Sequence, residues 1–315
     1  MNAPLCSVVM PLFNKEQEVS STILSVLNQT FKDFELLVIN DGSTDCSVQV
    51  VKGFTDARLS IINQENSGVS AARNEGIRLS KTELIVFIDA DDLWEPDFLA
   101  TIMALRNDFP QAQWFATGYE IRHPETGRSF SKLGGASKDF YRGILKNYFD
   151  VAICSDPPVC SSATAVSRNA LYEIGCFPVG VGSGEDLLTW ARLAVRYPLA
   201  YEARCHAIFR VSDNHRPADA SDRVGTALRQ LLDDSPSVVA LRSYLGLWYR
   251  IQAVMAMRFC ESALARRRAL LSVRYAPLQI RNLYTLILAL LPIKWRQFFD
   301  KKVRNFFSYK RQKSM

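Results

Sequence analysis

Leu84-Ile85-Val86-Phe87-Ile88-Asp89-Ala90-Asp91-Asp92 is the stretch on which the fold turns. Five apolar residues run without interruption into three acids within four positions. An apolar run of strand length is a strand buried on both faces, as in a parallel sheet. In open α/β sheets, ligands bind beyond the carboxyl ends of such strands. Three carboxylates crowded there repel one another unless a cation neutralises them. Hard oxygen donors suit Mg²⁺ or Mn²⁺, which would join the carboxylates to a diphosphate and stabilise charge on it as it leaves. The competing reading is a solvated acidic loop before a helix, because Trp94-Glu95-Pro96-Asp97 has the form of a helix start.

The flanking sequence repeats the theme. Ser7–Leu12, Phe34–Asn40 and Leu59–Asn63 are β-rich runs of strand length. Val19, Ile23, Val26 and Leu27 fall on one helical face between the first two, and Ser47–Phe54 and Val69–Leu79 read as further helices. Strand and helix in alternation predict an α/β fold with a mainly parallel sheet. Beyond it, the pattern predicts strands at Trp114–Ile121 and Ser162–Val166, a loop over Thr126–Ser137 and a helix near Tyr141–Tyr148. A second helix opens at Glu185 and runs to Tyr197, and Ser237–Arg274 reads as one long, mostly helical stretch.

Three further groups of residues carry candidate chemistry. Asn40-Asp41-Gly42-Ser43-Thr44-Asp45 ends the second strand with a carboxylate able to accept N–H or O–H groups of a nucleobase or ribose, although the same residues make a turn and helix cap. Gly182-Ser183-Gly184-Glu185-Asp186 opens a helix. An aspartate there can take a proton from an attacking hydroxyl, while acids also complement a helix N-terminus. Asn66-Ser67-Gly68 leads to Ala71-Ala72-Arg73-Asn74, where Arg73 is a phosphate contact or an ordinary helix-face residue. His215, after the strand-like Ala207–Val211, is a lone candidate metal ligand or phosphate contact that serves equally as a structural residue.

Composition narrows the class. With 48% hydrophobic and 22% charged residues in 315, the chain is globular. Its net charge of +6 hides an asymmetry: residues 258–315 hold 14 Lys/Arg against Glu261 and Asp300, and residues 1–257 hold 24 bases against 30 acids. Leu283–Ile293 is an apolar patch too short to span a bilayer. Beyond it, Trp295, Phe299, Val303 and Phe306 fall at helical spacing among Lys294, Arg296, Lys301, Lys302 and Arg304. A basic amphipathic helix of this kind lies on an anionic membrane surface, or docks on the catalytic domain or a homodimer partner. No nucleic-acid recognition motif accompanies it. Seven cysteines without C-x-x-C spacing indicate neither a disulfide framework nor a zinc site, and no secretory signal is expected, so a reducing cytoplasm is the expected compartment.

Taken together, these pieces resemble the family 2 inverting glycosyltransferases of the GT-A type. The resemblance rests on Val8-Val9-Met10-Pro11-Leu12-Phe13-Asn14, Ser25-Val26-Leu27-Asn28-Gln29-Thr30, Glu35 through Asp45, Asn66-Ser67-Gly68 with Ala71-Ala72-Arg73-Asn74, and Asp89-Ala90-Asp91-Asp92, in family order. Glu185-Asp186, Leu188 and Arg192-Leu193 look like the acceptor-side motif. The resemblance covers about 1–215 and implies a GT-A-type, Rossmann-like mixed sheet flanked by helices. Residues 1–112 would form the nucleotide-sugar half and 113–215 the acceptor half, followed by a helical extension over 216–315.

It also implies roles. Pro11, Asn14 and Glu16 would line the nucleotide pocket, Asp41 would bind the base, commonly uracil, and Arg73 would sit near base or phosphates. Asp89, with Ala90 beside it, would approach the ribose. Asp91 would coordinate Mn²⁺ or Mg²⁺, with Asp92 adjacent and His215 as a further candidate. Asp186, with Glu185 beside it, would be the general base of a single displacement that inverts the anomeric configuration. The resemblance implies a nucleotide-sugar donor, expected in the UDP form for this pattern, and a glycan or lipid-linked glycan acceptor at the inner face of the cytoplasmic membrane. The Gln-x-x-Arg-Trp motif of the processive synthases is absent, which favours single addition. Two rival expectations are a silent nucleotide-sugar-binding partner subunit and a sugar nucleotidylyltransferase. The second is disfavoured because Pro11-Leu12-Phe13-Asn14 stands where those enzymes carry a glycine-rich loop.

Overall fold

The computed structural model describes residues 4–292 apart from 138, 156, 212–217 and 219. The chain forms two compact units, Met1–His215 and Arg216–Met315. In the first, β1 (Cys6–Leu12), α1 (Val19–Leu27), β2 (Phe34–Asp41), α2 (Ser47–Lys52), β3 (Leu59–Gln64), α3 (Val69–Leu79) and β4 (Leu84–Phe87) alternate as the periodicity predicts. They are followed by β5 (Leu93–Trp94), α4 (Phe98–Asp108), β6 (Trp114–His123), β7 (Gly127–Phe130), β8 (Arg142–Leu145), α5 (Tyr148–Cys154), β9 (Thr164–Ser167), α6 (Arg168–Glu173), α7 (Glu185–Arg196) and β10 (Leu199–Arg210).

All these strands belong to one sheet in the order β3-β2-β1-β4-β9-β6-β10-β5, with β7 added to β6 and β8 to β10. β1 is parallel to β2 and to β4, and β2 to β3. β9 then enters antiparallel to both β4 and β6, and β10 is parallel to β6. β1 and β2 are buried along their whole length, which is why their sequences show no polar alternation. Val8, Met10 and Leu12 join Val19, Ile23 and Val26 of α1 in one core layer. Val9 points to the other face, where α3 approaches at Gly76. A Cβ on Gly76 would lie 2.3 Å from Val9 Cγ1, so only glycine lets α3 settle that close to β1.

Two expectations fail here. Residues 142–145 form a strand, not the helix expected near Tyr141–Tyr148. They pair with Leu199–Glu202 of β10, and Arg142 is fixed by ion pairs to Glu202 at 3.0 Å and to Asp108. The region over Thr126–Ser137 is not all loop, because β7 continues the β6 hairpin.

The second unit contains α8 (Arg223–Asp234), α9 (Val239–Arg258), α10 (Ser262–Tyr275) and α11 (Ile280–Leu290). The long helical stretch is broken at residues 259–261, where Cys260 adopts φ +59°. Small side chains let these helices pack closely: Ala253, Ala256, Ala265, Ala269 and Ala289 form a core. Inside the unit, the buried Arg268 guanidinium pairs with Asp222 at 2.7 Å. Among the described residues no helix is long and apolar enough to cross a membrane. The basic stretch from Ile293 onward lies outside the described residues.

Candidate active site

The carboxyl ends of β1, β2 and β4 share one edge of the sheet, because Leu12 is opposite Asn40 and Val9 is opposite Phe87. The loops leaving β1 and β2 are laced together. Asn14, at φ +49°, donates its backbone N–H to Ser43 Oγ at 3.1 Å and accepts the Thr44 N–H on Oδ1 at 2.8 Å. The Lys15 N–H donates to Ser47 Oγ, the Glu16 N–H to Asp45 Oδ2, and Glu16 Oε2 accepts the Cys46 N–H. Asp41 is almost fully buried and braces the 64–68 turn: Oδ1 accepts from Gln64 Nε2 and the Ser67 N–H, and Oδ2 from the Gly68 N–H. Pro11 is buried within β1 opposite Ile39, so it backs this edge and presents little surface to a ligand.

The three acids after β4 have different surroundings. Asp91 keeps a partly exposed carboxylate, 21% accessible, which holds the Lys15 ammonium at 2.6 Å. Asp89, 29% accessible, accepts from Arg73 at 2.7 Å and donates its backbone N–H to Ser162 Oγ. Asp92 turns inward and is 1% exposed. Its Oδ2 accepts from Ser162 Oγ at 2.5 Å and its Oδ1 from the Arg210 N–H at 2.8 Å. Burial, then the charges of Asp89 and Asp91, push the Asp92 carboxyl well above its ordinary range. The Arg210 side chain reaches the Asp91 carbonyl and Ser21 Oγ, and Thr22 Oγ1 donates to the Ala90 and Asp92 carbonyls. Asp92 is thus an interior anchor of the loop.

Across the edge, α7 begins after Gly184, whose φ of +83° is a left-handed conformation that favours glycine. Arg73 on α3, 2% exposed, is held between Asp89 and Glu185, whose Oε1 is 3.6 Å away, and lies 5.1 Å from the centroid of the Phe177 ring. Its guanidinium is a strut between the acidic loop and α7. Glu185 is buried and engaged by this strut. Asp186 is more accessible than Glu185. Burial and then the Glu185 charge push its carboxyl up to about 6, against the opposing pull of Arg73. A carboxylate of that kind is ionised at neutral pH yet basic enough to take a proton.

The family model for glycosyl transferase family 2 matches residues 7–175, more than half of the chain. This chain belongs to glycosyl transferase family 2. An uncharacterized glycosyltransferase of Rickettsia bellii is 32% identical to this family member over 60% of the present chain and 26% of its own. The putative glycosyltransferase EpsH of Bacillus subtilis is 32% identical over 41% of this chain and 38% of its own. The glycosyltransferase GlyA of Streptococcus pneumoniae is 40% identical over 30% and 14%, respectively. The matches therefore span well under half of these relatives' lengths. Among solved structures, Staphylococcus aureus TarS 1–349, crystallised with UDP-GlcNAc, superposes with a TM-score of 0.64 at 13% identity, covering 95% of this chain and 92% of that one. The fold of this family 2 member is accordingly of the GT-A type, with C-terminal helices.

The edge thus brings together Asn14, Glu16, Asp41, Asp89, Asp91 and, through Arg73, Glu185 and Asp186. His215 lies outside the described residues. Sequence reasoning missed Lys15, Ser162 and Arg210. Lys15 carried a signal, as a lone base between two motif residues facing an acidic loop. Ser162 carried none, since only the pairing of β4 with β9 brings it beside Asp89, 73 residues away.

Proposed function

We propose that this chain is an inverting glycosyltransferase that moves one sugar from a nucleotide sugar to an acceptor hydroxyl in a single displacement. The observation that carries the reading is the Arg73 strut, which ties the acidic loop after β4 to the helix that presents Asp186. Donor-side and acceptor-side carboxylates are thereby held on one edge of one sheet. A UDP-sugar is the favoured donor, supported by the family's pattern and by the UDP-GlcNAc bound to TarS.

Asp186 takes the proton of the acceptor hydroxyl as its oxygen attacks the anomeric carbon, and the bond to the diphosphate breaks on the opposite face, inverting the configuration. With its carboxyl pushed up to about 6, Asp186 supports this only in its ionised form, so activity rises as pH climbs through that value. Asp41 and the laced loops around Asn14 and Glu16 form the floor that receives the nucleotide.

The residues fit a divalent cation. Mg²⁺ or Mn²⁺ in such sites is held by one or two carboxylates plus substrate phosphates. Asp91 would hold it, with Asp89 adjacent, and its partly exposed carboxylate already accommodates a cationic group, the Lys15 ammonium. The cation would supply neutralisation of charge on the departing diphosphate.

The acceptor is proposed to be a lipid-linked or surface glycan, met at the cytoplasmic face of the membrane through residues 283–313. The described part of that segment supports this reading: Leu283, Ile287 and Leu290 lie on one face of α11 and are exposed. A panel of UDP-, GDP- and dTDP-sugars with Mn²⁺ or Mg²⁺ tests the whole reading. Chelator-sensitive release of nucleotide from one donor, with a product of opposite anomeric configuration by NMR, is expected. A protein that binds UDP but turns over no donor with any glycan acceptor would instead be the silent partner subunit.

A further inference from the structure

The Lys15–Asp91 ion pair has a chemical role beyond stabilising a loop. The two side chains are 24% and 21% accessible, and the separation is 2.6 Å. The main chain at Lys15 is fixed, since its N–H donates to Ser47 Oγ at 2.8 Å and its neighbours Asn14 and Glu16 are tied to the loop leaving β2. Only the four-carbon side chain is free to reorient. Asp91 therefore carries a built-in counter-ion, on the carboxylate that a divalent cation would need.

An ammonium and a divalent cation held by one carboxylate lie only a few ångströms apart, where like charges repel strongly. The geometry points to Lys15 as a displaceable counter-ion: it neutralises Asp91 until the cation arrives with the diphosphate, then swings from Asp91 onto a diphosphate oxygen. The carboxylate and the phosphate would exchange cations, with Asp91 passing from the lysine to the metal and the lysine passing to the anion that the metal brings. Lysine suits this task, as a compact point charge on a flexible stem. A consequence is that cation alone binds weakly and cation with nucleoside diphosphate binds cooperatively. This inference rests on the reading of Asp91 as the cation's carboxylate.

The test measures Mn²⁺ binding by electron paramagnetic resonance without nucleotide, and UDP binding by calorimetry with saturating Mn²⁺, in the full chain. Lys15→Met keeps the length of the side chain and removes its charge. It should bind Mn²⁺ alone roughly three- to tenfold more tightly, the competition of a partly exposed ion pair having been removed. It should also bind UDP with Mn²⁺ several-fold more weakly, having lost the phosphate contact. Lys15→Arg, which retains the charge, should bind Mn²⁺ alone as weakly as the natural protein, and this variant separates loss of charge from a disturbed loop. Asp91→Asn should lose the Mn²⁺ signal. If Asp91→Asn loses it while Lys15→Met leaves either affinity unchanged, the counter-ion role is overturned and the metal reading stands. If Asp91→Asn binds Mn²⁺ as before, both are overturned.

Discussion

Replacing Arg73 by methionine removes the charge that joins the two halves of the site and keeps most of the volume. The guanidinium is 2% exposed and faces Asp89 at 2.7 Å and Glu185 at 3.6 Å. Breaking a buried ion pair by deleting one partner costs about 3–5 kcal/mol, and because Asp89 is partly open to water the loss of Arg73 falls at the low end of that range. At about 2–4 °C per kcal/mol for a unit of this size, the melting temperature should fall on the order of 10 °C. Arg73 also pulls the Asp186 carboxyl down, in opposition to burial and Glu185. Without that pull its pKa climbs above about 6. The sign follows: a higher pKa leaves less carboxylate at neutral pH, so the acid limb of kcat/KM moves to higher pH. Differential scanning calorimetry and a pH–rate profile read the two effects separately. Adding Glu185→Gln should recover part of the stability, because it removes the charge of a buried acid that has lost the Arg73 guanidinium. An Arg73→Met protein within about 1 kcal/mol of the natural one, with an unmoved acid limb, would refute the strut.

Four other outcomes are expected. Asp186→Asn should retain UDP binding and lose transfer, yet gain about 1–2 kcal/mol of stability at pH 8 in chemical denaturation; because the folded pKa is raised, ionising this group costs stability as pH rises through the window up to about 6, and the gain should vanish below about pH 4. Asp91→Ala should abolish the dependence of UDP affinity on Mn²⁺ in calorimetric titration. Gly76→Ala should destabilise the first unit by about 1–3 kcal/mol, since the added methyl meets Val9 at 2.3 Å; denaturant midpoints check this. Ile287→Glu with Leu290→Glu should weaken flotation with phosphatidylglycerol vesicles and leave turnover of a soluble acceptor intact.

The donor half of the fold was legible because its signals are local. Runs such as Leu36–Ile39 are buried on both faces, and α3 has the bounds Val69–Leu79 that its periodicity predicts. The segment 142–145 was not, because Ile144-Leu145 suits either helix or strand and its choice is made by β10, more than fifty residues later. The mostly helical stretch expected over Ser237–Arg274 is divided without a proline, by a turn that stacks α10 on α9 through an alanine seam. Within the site, residue types and spacing pointed to Asp91 and Asp186. They could not distinguish Asp92 from its neighbours, since its inward turn depends on Ser162 and Arg210.

The position of β9 has a bearing on how this molecule could be engineered. It is inserted between β4 and β6, so β4, the outermost strand of the nucleotide half, gains its second neighbour from sequence some eighty residues downstream. A fragment ending near residue 112 would expose Leu84-Ile85-Val86-Phe87 as an open, wholly apolar edge, a template for pairing with other chains. It would also lack Ser162 and Arg210, leaving the Asp92 carboxylate without either of these two partners. Grafting that half onto another acceptor region is therefore expected to give aggregates, whereas a chimera that carries β9 and its Ser162 turn along with the first four strands keeps the edge closed.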